Sequence, residues 1–372
     1  MPAPPPLTPH STSPSTSSPA SPPPALRVLF FGTPEIAVPT LERLIASPHE
    51  VVGIVSQPDR ARGRGRKESP SPISAVALRE DIPLFRPERV GEAETVEALR
   101  ALRADLGVVV AFGQFLPKKL REMPRCGYLI NAHASLLPKY RGASPIAQAI
   151  LDGVDETGVS VMRVDREMDA GPVALVRRIT IEEQENTAEL SLRLGELASR
   201  AIETAVDQVA REEIEWTEQD SSRASIAPKL EKSDALLDLR ENATSLARRV
   251  HALSPKPGGA LTLLSDQDEK FEPVAVKISR ATVVPFAGTD EKAPETTPTF
   301  DPPKIGSIDL ECEDDALRIA TGQGWLVPLV MQRAGGKALA IADFLRGLKL
   351  PEDVRCAIPD DEKRQEGKKA SS

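Results

Sequence analysis

Asn131 and His133 stand two residues apart at the end of a short apolar run, Tyr128 to Ile130, within the stretch GYLINAHASLLPKYRGASP (127–145). In an extended backbone, residues i and i+2 project to the same side. An amide donor and an imidazole are thereby aimed at one point, an arrangement suited to stabilising negative charge that develops on a carbonyl oxygen. Asp169, in MDAGPV after an expected strand from Gly158 to Val164, is the natural carboxylate to orient that imidazole. Each residue has an ordinary use as well: a satisfied structural histidine, or a turn aspartate ahead of Gly171. Together the three point to acyl-type chemistry. The four histidines, His10, His49, His133 and His251, show no ligand spacing, so no metal is expected.

Such a trio needs a frame. Arg27 to Phe31, Val51 to Val55 and Asp105 to Ala111 read as buried strands, with helical patterns in GTPEIAVPTLERLIAS and from Glu92 to Arg103. Strands alternating with helices predict an α/β fold with a doubly wound, mostly parallel, Rossmann-like sheet. Such sheets bind ligands outside the carboxyl ends of their strands, where Asn131 and His133 fall. Ser135 to Arg141 makes a tight loop fixed by Pro138 and Gly142, and Pro145 suits a first helical turn. An amphipathic helix over residues 187–211 closes this domain, expected at 26–215, against its sheet. A linker at 216–227 follows. Residues 228–350 hold a helix (Ala243 to Leu253) and short strand-like runs at Val274 to Ile278, Leu317 to Ala320 and Trp325 to Val330. These predict a smaller C-terminal open β-barrel of OB-like type.

Composition sets limits. The 372 residues carry 47 basic and 55 acidic side chains, a net charge of −8, so any nucleic-acid binding must come from a local basic cluster. One exists at residues 57–72, QPDRARGRGRKESPSP, where Arg60, Arg62, Arg64, Arg66 and Lys67 alternate with Gly63 and Gly65. It reads as a mobile loop that is either a solvated charged surface or a phosphate-seeking arm. It lacks the GK[ST] of a phosphate-binding Walker loop, and Gly32 lacks the further glycines of a dinucleotide fingerprint, which argues against a nicotinamide cofactor. Three cysteines, Cys126, Cys312 and Cys356, have no paired spacing, and no apolar run approaches ~18 residues. A cytoplasmic chain without membrane contact is expected, with a disordered Pro/Ser-rich tail at 1–25, a disordered insertion at 285–304 and a charged tail at 351–372.

Beyond these readings, the sequence resembles the methionyl-tRNA formyltransferases among the enzymes that use 10-formyltetrahydrofolate. The matching segments run in order from about Leu26 to Leu350: FGTPEIAVPTLERL, SQPDRARGRGRK, VVVAFGQFLP, INAHASLLPKYRGASPI, ETGVSVMRVDREMDAGPV and TGQGWLVPLVMQRAGGKALAIADFLRG. The resemblance implies that Asn131, His133 and Asp169 are catalytic, and that Ser135, Leu136, Leu137 and Pro138 line the folate site, with Phe112, Gly113 and Gln114 bordering the pteridine. It implies that Arg64, within the basic loop, acts on the acceptor end of an initiator tRNA and that the barrel supports that tRNA; a monomer is expected. One departure is Ser254 to Leu261, SPKPGGAL, where the family carries a tryptophan-rich stretch. SLLPKYRG alone is shared with sugar-amine formyltransferases, so the basic loop and the C-terminal module carry the preference for tRNA over a sugar amine or a non-catalytic folate- or RNA-binding role.

Overall fold

The computed structural model describes residues 23–62, 67–286, 302–310 and 317–358. Residues 1–22 of the expected tail, Arg64 and Arg66, Cys312 and residues 287–301 of the expected insertion lie outside that range.

Alternating strands and helices build the first domain in the order β1 (Arg27–Gly32), α1 (Val38–Ile45), β2 (Glu50–Val55), β3 (Arg60–Arg62), β4 (Lys67–Ser69), α2 (Pro72–Arg79), β5 (Leu84–Phe85), α3 (Ala93–Ala101), β6 (Leu106–Val110), α4 (Lys118–Arg121) and β7 (Leu129–His133). β1, β2, β5, β6 and β7 pair in parallel. After β8 (Arg141–Gly142) and α5 (Pro145–Asp152), the antiparallel β9 (Glu156–Arg163) and β10 (Val173–Thr180) complete the order β10-β9-β7-β6-β1-β2-β5. The chain winds from β1 out to β5 and then returns to β6 on β1's other side. That reversal is the switch point at which open α/β sheets take ligands.

Alternation along the central strand explains why the sheet is covered on both faces. Phe30 joins one core cluster with Leu41, Leu44 and Leu194, while Leu29 and Phe31 join the other with Val96, Leu99 and Leu120. α6 (Thr187–Ala210) lays Leu190, Leu194, Ala198, Ala201, Ile202 and Ala205 on the first cluster at helical spacing. Its start is fixed by a reciprocal cap, in which Asn186 Oδ1 accepts from Glu189 N (3.1 Å) and Glu189 Oε2 accepts from Asn186 N (3.1 Å). Loss of such a cap costs about 1 kcal/mol.

The second domain is an antiparallel sheet reached through β11 (Ile226–Ala227) and α7 (Ala243–Ala252). It comprises β12 (Gly259–Leu264), β13 (Val274–Val284), β14 (Ile308–Asp309), β15 (Arg318–Ala320), β16 (Trp325–Arg333) and β17 (Ala338–Ala340), then α8 (Ile341–Arg346) and β18 (Arg355–Cys356). β14 and β18 lie at the two ends of the strand path, yet a bridge between Ser307 and Arg355 brings them together and curls the sheet into a barrel. β13 runs beyond the expected Ile278 because register shifts around Arg280 let one strand bend past the point where its alternation breaks.

Three expected boundaries change. Phe286, at the start of the expected insertion, is buried and packs edge-on to Trp325 at 5.5 Å. Residues 351–358, expected in a charged tail, include buried Val354 and Cys356, and β18 adds to β12; Val354, Cys356 and Ile358 give this short segment an apolar side that packs on the second core. The expected linker is built into the first domain, as described below. The domains meet where α7 packs on α5, where Thr187 Oγ1 donates to Ala252 O (2.6 Å), and where Arg280 pairs with Glu189. Among the described residues no helix is long and apolar enough to cross a membrane.

Candidate active site

β7 carries Ile130 and Ala132 into the core beneath α6, so Asn131 and His133 lie on its opposite face, the side of buried Leu129. The Asn131 amide is half-buried and has no hydrogen-bond partner among the described residues, which leaves its donors available. His133 is buried and doubly engaged. Its Nε2 lies 2.8 Å from the Tyr140 carbonyl, which can only accept, so Nε2 carries a proton. Nδ1 faces Asp169 Oδ2 at 3.6 Å, in ion-pair range. The ring is thus held between a backbone carbonyl on one nitrogen and a carboxylate on the other. The sequence-based picture of two donors converging on one oxygen is therefore carried in this state by Asn131, with His133 turned to protein groups on both nitrogens.

The loop after β7 is cross-tied. The Ser135 hydroxyl donates to Lys139 O (2.6 Å), while the Ser160 hydroxyl donates to Ser135 O (2.8 Å) and accepts from Leu137 N (3.1 Å). Tyr140 and Gly142 take positive φ, +61° and +119°. At Gly142 the need for glycine is steric too: a Cβ would stand 2.6 Å from Ala227 O. The turn presents Gly142 N to Asp169 Oδ2 at 2.9 Å, and Asp169 itself sits at φ +53°. Burial, with a hydrogen bond to Asp152, pushes the Tyr140 hydroxyl up to about 12, so it stays neutral at working pH.

Sequence reading missed what holds this loop from outside. Ser225 Oγ accepts from Tyr140 N (2.9 Å), Arg141 N donates to Ser225 O (2.9 Å), and β11 pairs in parallel with β8. Gln219 and buried Arg141 join the Asp169 turn. Nothing in the polar segment 216–227 signals these contacts, because they are made by isolated side chains and two-residue strands.

The residues expected around the folate divide. The Phe112 ring is buried edge-on to Phe31 at 5.6 Å, and its carbonyl already accepts from Gln57 Nε2 (2.8 Å). Gln114 is committed to Val90 N (2.9 Å) and Pro87 O (3.1 Å). Gly113 is exposed at φ +80°, beside exposed Ala111 and Phe115. Leu136, Leu137 and Pro138 are half-buried, whereas the Ser135 side chain is fully turned inward. The loop after β6 thus offers exposed backbone and one exposed aromatic ring, the surfaces a flat hydrogen-bonding heterocycle requires.

The basic segment differs from the expected open loop. Its arms pair as a hairpin with Arg60 opposite Ser69, Ala61 opposite Glu68 and Arg62 opposite Lys67. Arg–Ala–Arg against Lys–Glu–Ser leaves enough pairing backbone for three rungs despite the charge. The hairpin leaves the sheet after β2, at the same carboxyl edge as the residues above.

Comparison with known proteins agrees with this architecture. Residues 26–206 match the family described as Formyl transferase, and residues 229–349 match its C-terminal domain. The methionyl-tRNA formyltransferase of Methylococcus capsulatus is 40% identical over 320 residues, covering 86% of this chain and 96% of that one. That of Citrifermentans bemidjiense is 38% identical over 325 residues, covering 87% and 94%. HypX from Aquifex aeolicus, solved in complex with tetrahydrofolic acid, shares the fold with a TM-score of 0.54 at 17% identity; the match covers 87% of this chain and 47% of HypX, so the chain spans about half of that protein. With both domains matched and identity sustained across nearly the whole of its relatives, the chain belongs to the methionyl-tRNA formyltransferase family.

Proposed function

We infer that the protein transfers the formyl group of 10-formyltetrahydrofolate to the α-amino group of methionyl-initiator tRNA, giving the N-formylmethionyl-tRNA that starts translation. The observation that carries the reading is the Asn131 amide, without a partner among the described residues, beside the His133–Asp169 pair at the sheet's carboxyl edge, in a chain with both family domains. The folate, when bound, supplies a formyl carbon activated by its nitrogen substituent. The loop after β6 and the half-buried Leu136, Leu137 and Pro138 fit such a group, with backbone for the ring's edge and apolar surface for its face.

Asn131 donates to the formyl oxygen as negative charge gathers there during attack by the amine; one such donor is worth about 2.7 to 4 kcal/mol of barrier. The His133 ring stands beside it on the same face, held in place by the Tyr140 carbonyl and Asp169. Asp169 Oδ2 is taken by Gly142 N, and no described residue donates to Oδ1. That oxygen is placed to accept the proton the α-amino group must lose, directly or through water; free α-amino groups lose it near pH ~7.7 to 8.0, and as the formyl carbon's bond to the folate nitrogen breaks, that nitrogen takes up a proton and tetrahydrofolate leaves. For tRNA, Arg60, Arg62, Arg64, Arg66 and Lys67 supply a local positive arm on an acidic protein, and Arg64 is assigned to the acceptor end.

The test is a formyl-transfer assay with three acceptors: charged initiator tRNA, amino sugars and water. Transfer to methionyl-tRNA alone supports this reading. Preferential transfer to an amino sugar, or release of formate only, would replace it.

A further inference from the structure

The polar segment between the domains enters the active site. We propose that Gln219 is a positioning residue: its amide fixes the turn that carries Asp169 and thereby sets the carboxylate against His133. The role assigned to Asp169 rests on the formyl-transfer reading above.

The Gln219 amide is saturated, and its orientation is dictated by chemistry. Oε1 accepts from Arg141 Nε (3.1 Å) and Nη2 (2.9 Å), while Nε2 donates to Asp169 O (2.8 Å) and Gly171 O (2.7 Å). A guanidinium only donates and a peptide carbonyl only accepts, so a flipped amide would lose all four contacts. Arg141 is a firm anchor, since it is buried and its backbone lies in β8 against β11.

Asp169 needs such a tie. Its φ of +53° is a region that residues other than glycine seldom adopt. The residue is held at two points: Gln219 takes its carbonyl, and Gly142 N takes its carboxylate at 2.9 Å. With the carbonyl released, the turn is free to relax toward an ordinary conformation, and the carboxylate swings away from His133 Nδ1. The segment that supplies Gln219 is itself pinned. Arg163 stacks over the Trp216 ring at 4.7 Å and over Tyr128 at 4.3 Å, and Thr217 bridges to Val173. Placement of the catalytic carboxylate therefore depends on how the chain leaves the first domain for the second.

Gln219→Met keeps the side chain's length and removes every polar contact. Gln219→Glu keeps an acceptor for Arg141 but turns an oxygen toward the two carbonyls, so it retains the structural half of the interaction and loses the half proposed to matter. Both should lower kcat by about 10²-fold, the scale of a misplaced catalytic group, with KM for the folate and for tRNA within about twofold of wild type. On an Asp169→Ala background the same changes should cost under about twofold more, because the group being positioned is already gone. The His133 ring signals in NMR spectra of the substrate-free protein should move in both variants toward those of Asp169→Ala. Unchanged kcat, an equal loss on both backgrounds, or unmoved His133 signals would overturn the proposal. A wild-type protein that fails to formylate methionyl-tRNA would instead defeat the formyl-transfer reading, and the His133 signals would still decide whether Gln219 positions Asp169.

Discussion

Two segments leave the carboxyl edge of the same sheet and are built in opposite ways. The loop from His133 to Gly142 is tied through side chains to β9, to the Asp169 turn and to the interdomain segment. The basic hairpin has three backbone rungs and a foot at Asp59, whose Oδ1 accepts from Ser71 N at 3.1 Å. The difference matches the roles proposed for each. A donor that meets a developing charge must stand within about 0.5 Å of its working position, which takes a fixed support. A cation that attracts a polyanion acts through space and can act from a less constrained arm.

The largest effects should come from the three side chains that meet at the tied loop. Asn131→Ala, His133→Ala and Asp169→Ala should each lower turnover by about 10² to 10³ while KM for tRNA stays near wild type, measured by steady-state kinetics on folded protein. Turnover near wild type in any of the three would remove that residue from the site and weaken the contrast between the two segments.

Next in size is the backbone beneath those groups. Gly142→Ala meets a positive φ and the Ala227 carbonyl together, and it disturbs the amide that binds Asp169. A loss of about 1 to 3 kcal/mol in stability by denaturant unfolding, with a parallel fall in kcat, is expected. Full activity and stability would show that the turn tolerates displacement and that the loop is less constrained than its contacts imply.

The basic segment should respond differently. Arg64→Ala should weaken use of methionyl-tRNA by about tenfold or more, the scale of a charge-assisted contact, and leave folate KM unchanged. Arg64→Lys should recover part of the loss, since an ammonium cannot make a forked contact with phosphate. Equal damage to both substrates would mean that the segment serves the pocket, and the contrast would collapse.

How far the sequence foretold this molecule depends on how local each signal is. The parallel strands β1, β2, β6 and β7 were legible because each is a short, mostly buried apolar run, whereas the two-residue, half-buried β5 gave no such signal; Asn131 and His133 were legible because spacing by two on a strand fixes a common side. The partners of His133 were legible only in part. Asp169 is 36 residues away in sequence and could be picked out by residue type, but the Tyr140 carbonyl and Gly142 N are backbone groups that no side chain advertises. Gln219 lay in a polar stretch that composition reads as a linker, and only the fold brings it to Arg141. β18 was hidden because its short apolar run, Val354, Cys356, Ala357 and Ile358, is broken by Arg355 and set among charged neighbours.

The smallest expected effect separates the two segments most cleanly, because it measures charge and nothing else. Each phosphate that a cation neutralises releases condensed counterions, so the logarithm of tRNA affinity falls with the logarithm of salt, by about 0.7 to 0.9 per phosphate. For a chain of net charge −8, most of that slope must come from clustered cations such as those of the hairpin. Arg66→Gln or Lys67→Gln should therefore reduce the slope of methionyl-tRNA binding by about 0.7 to 0.9, a change of less than about twofold in affinity for each doubling of salt. Asn131→Ala, for all its effect on turnover, should leave the slope where it was, since an amide releases no counterion. Binding titrations at four or five salt concentrations would decide between the outcomes. An unaltered slope in the hairpin variants would make the hairpin a solvated surface and send the search for the tRNA's electrostatic contacts to the barrel.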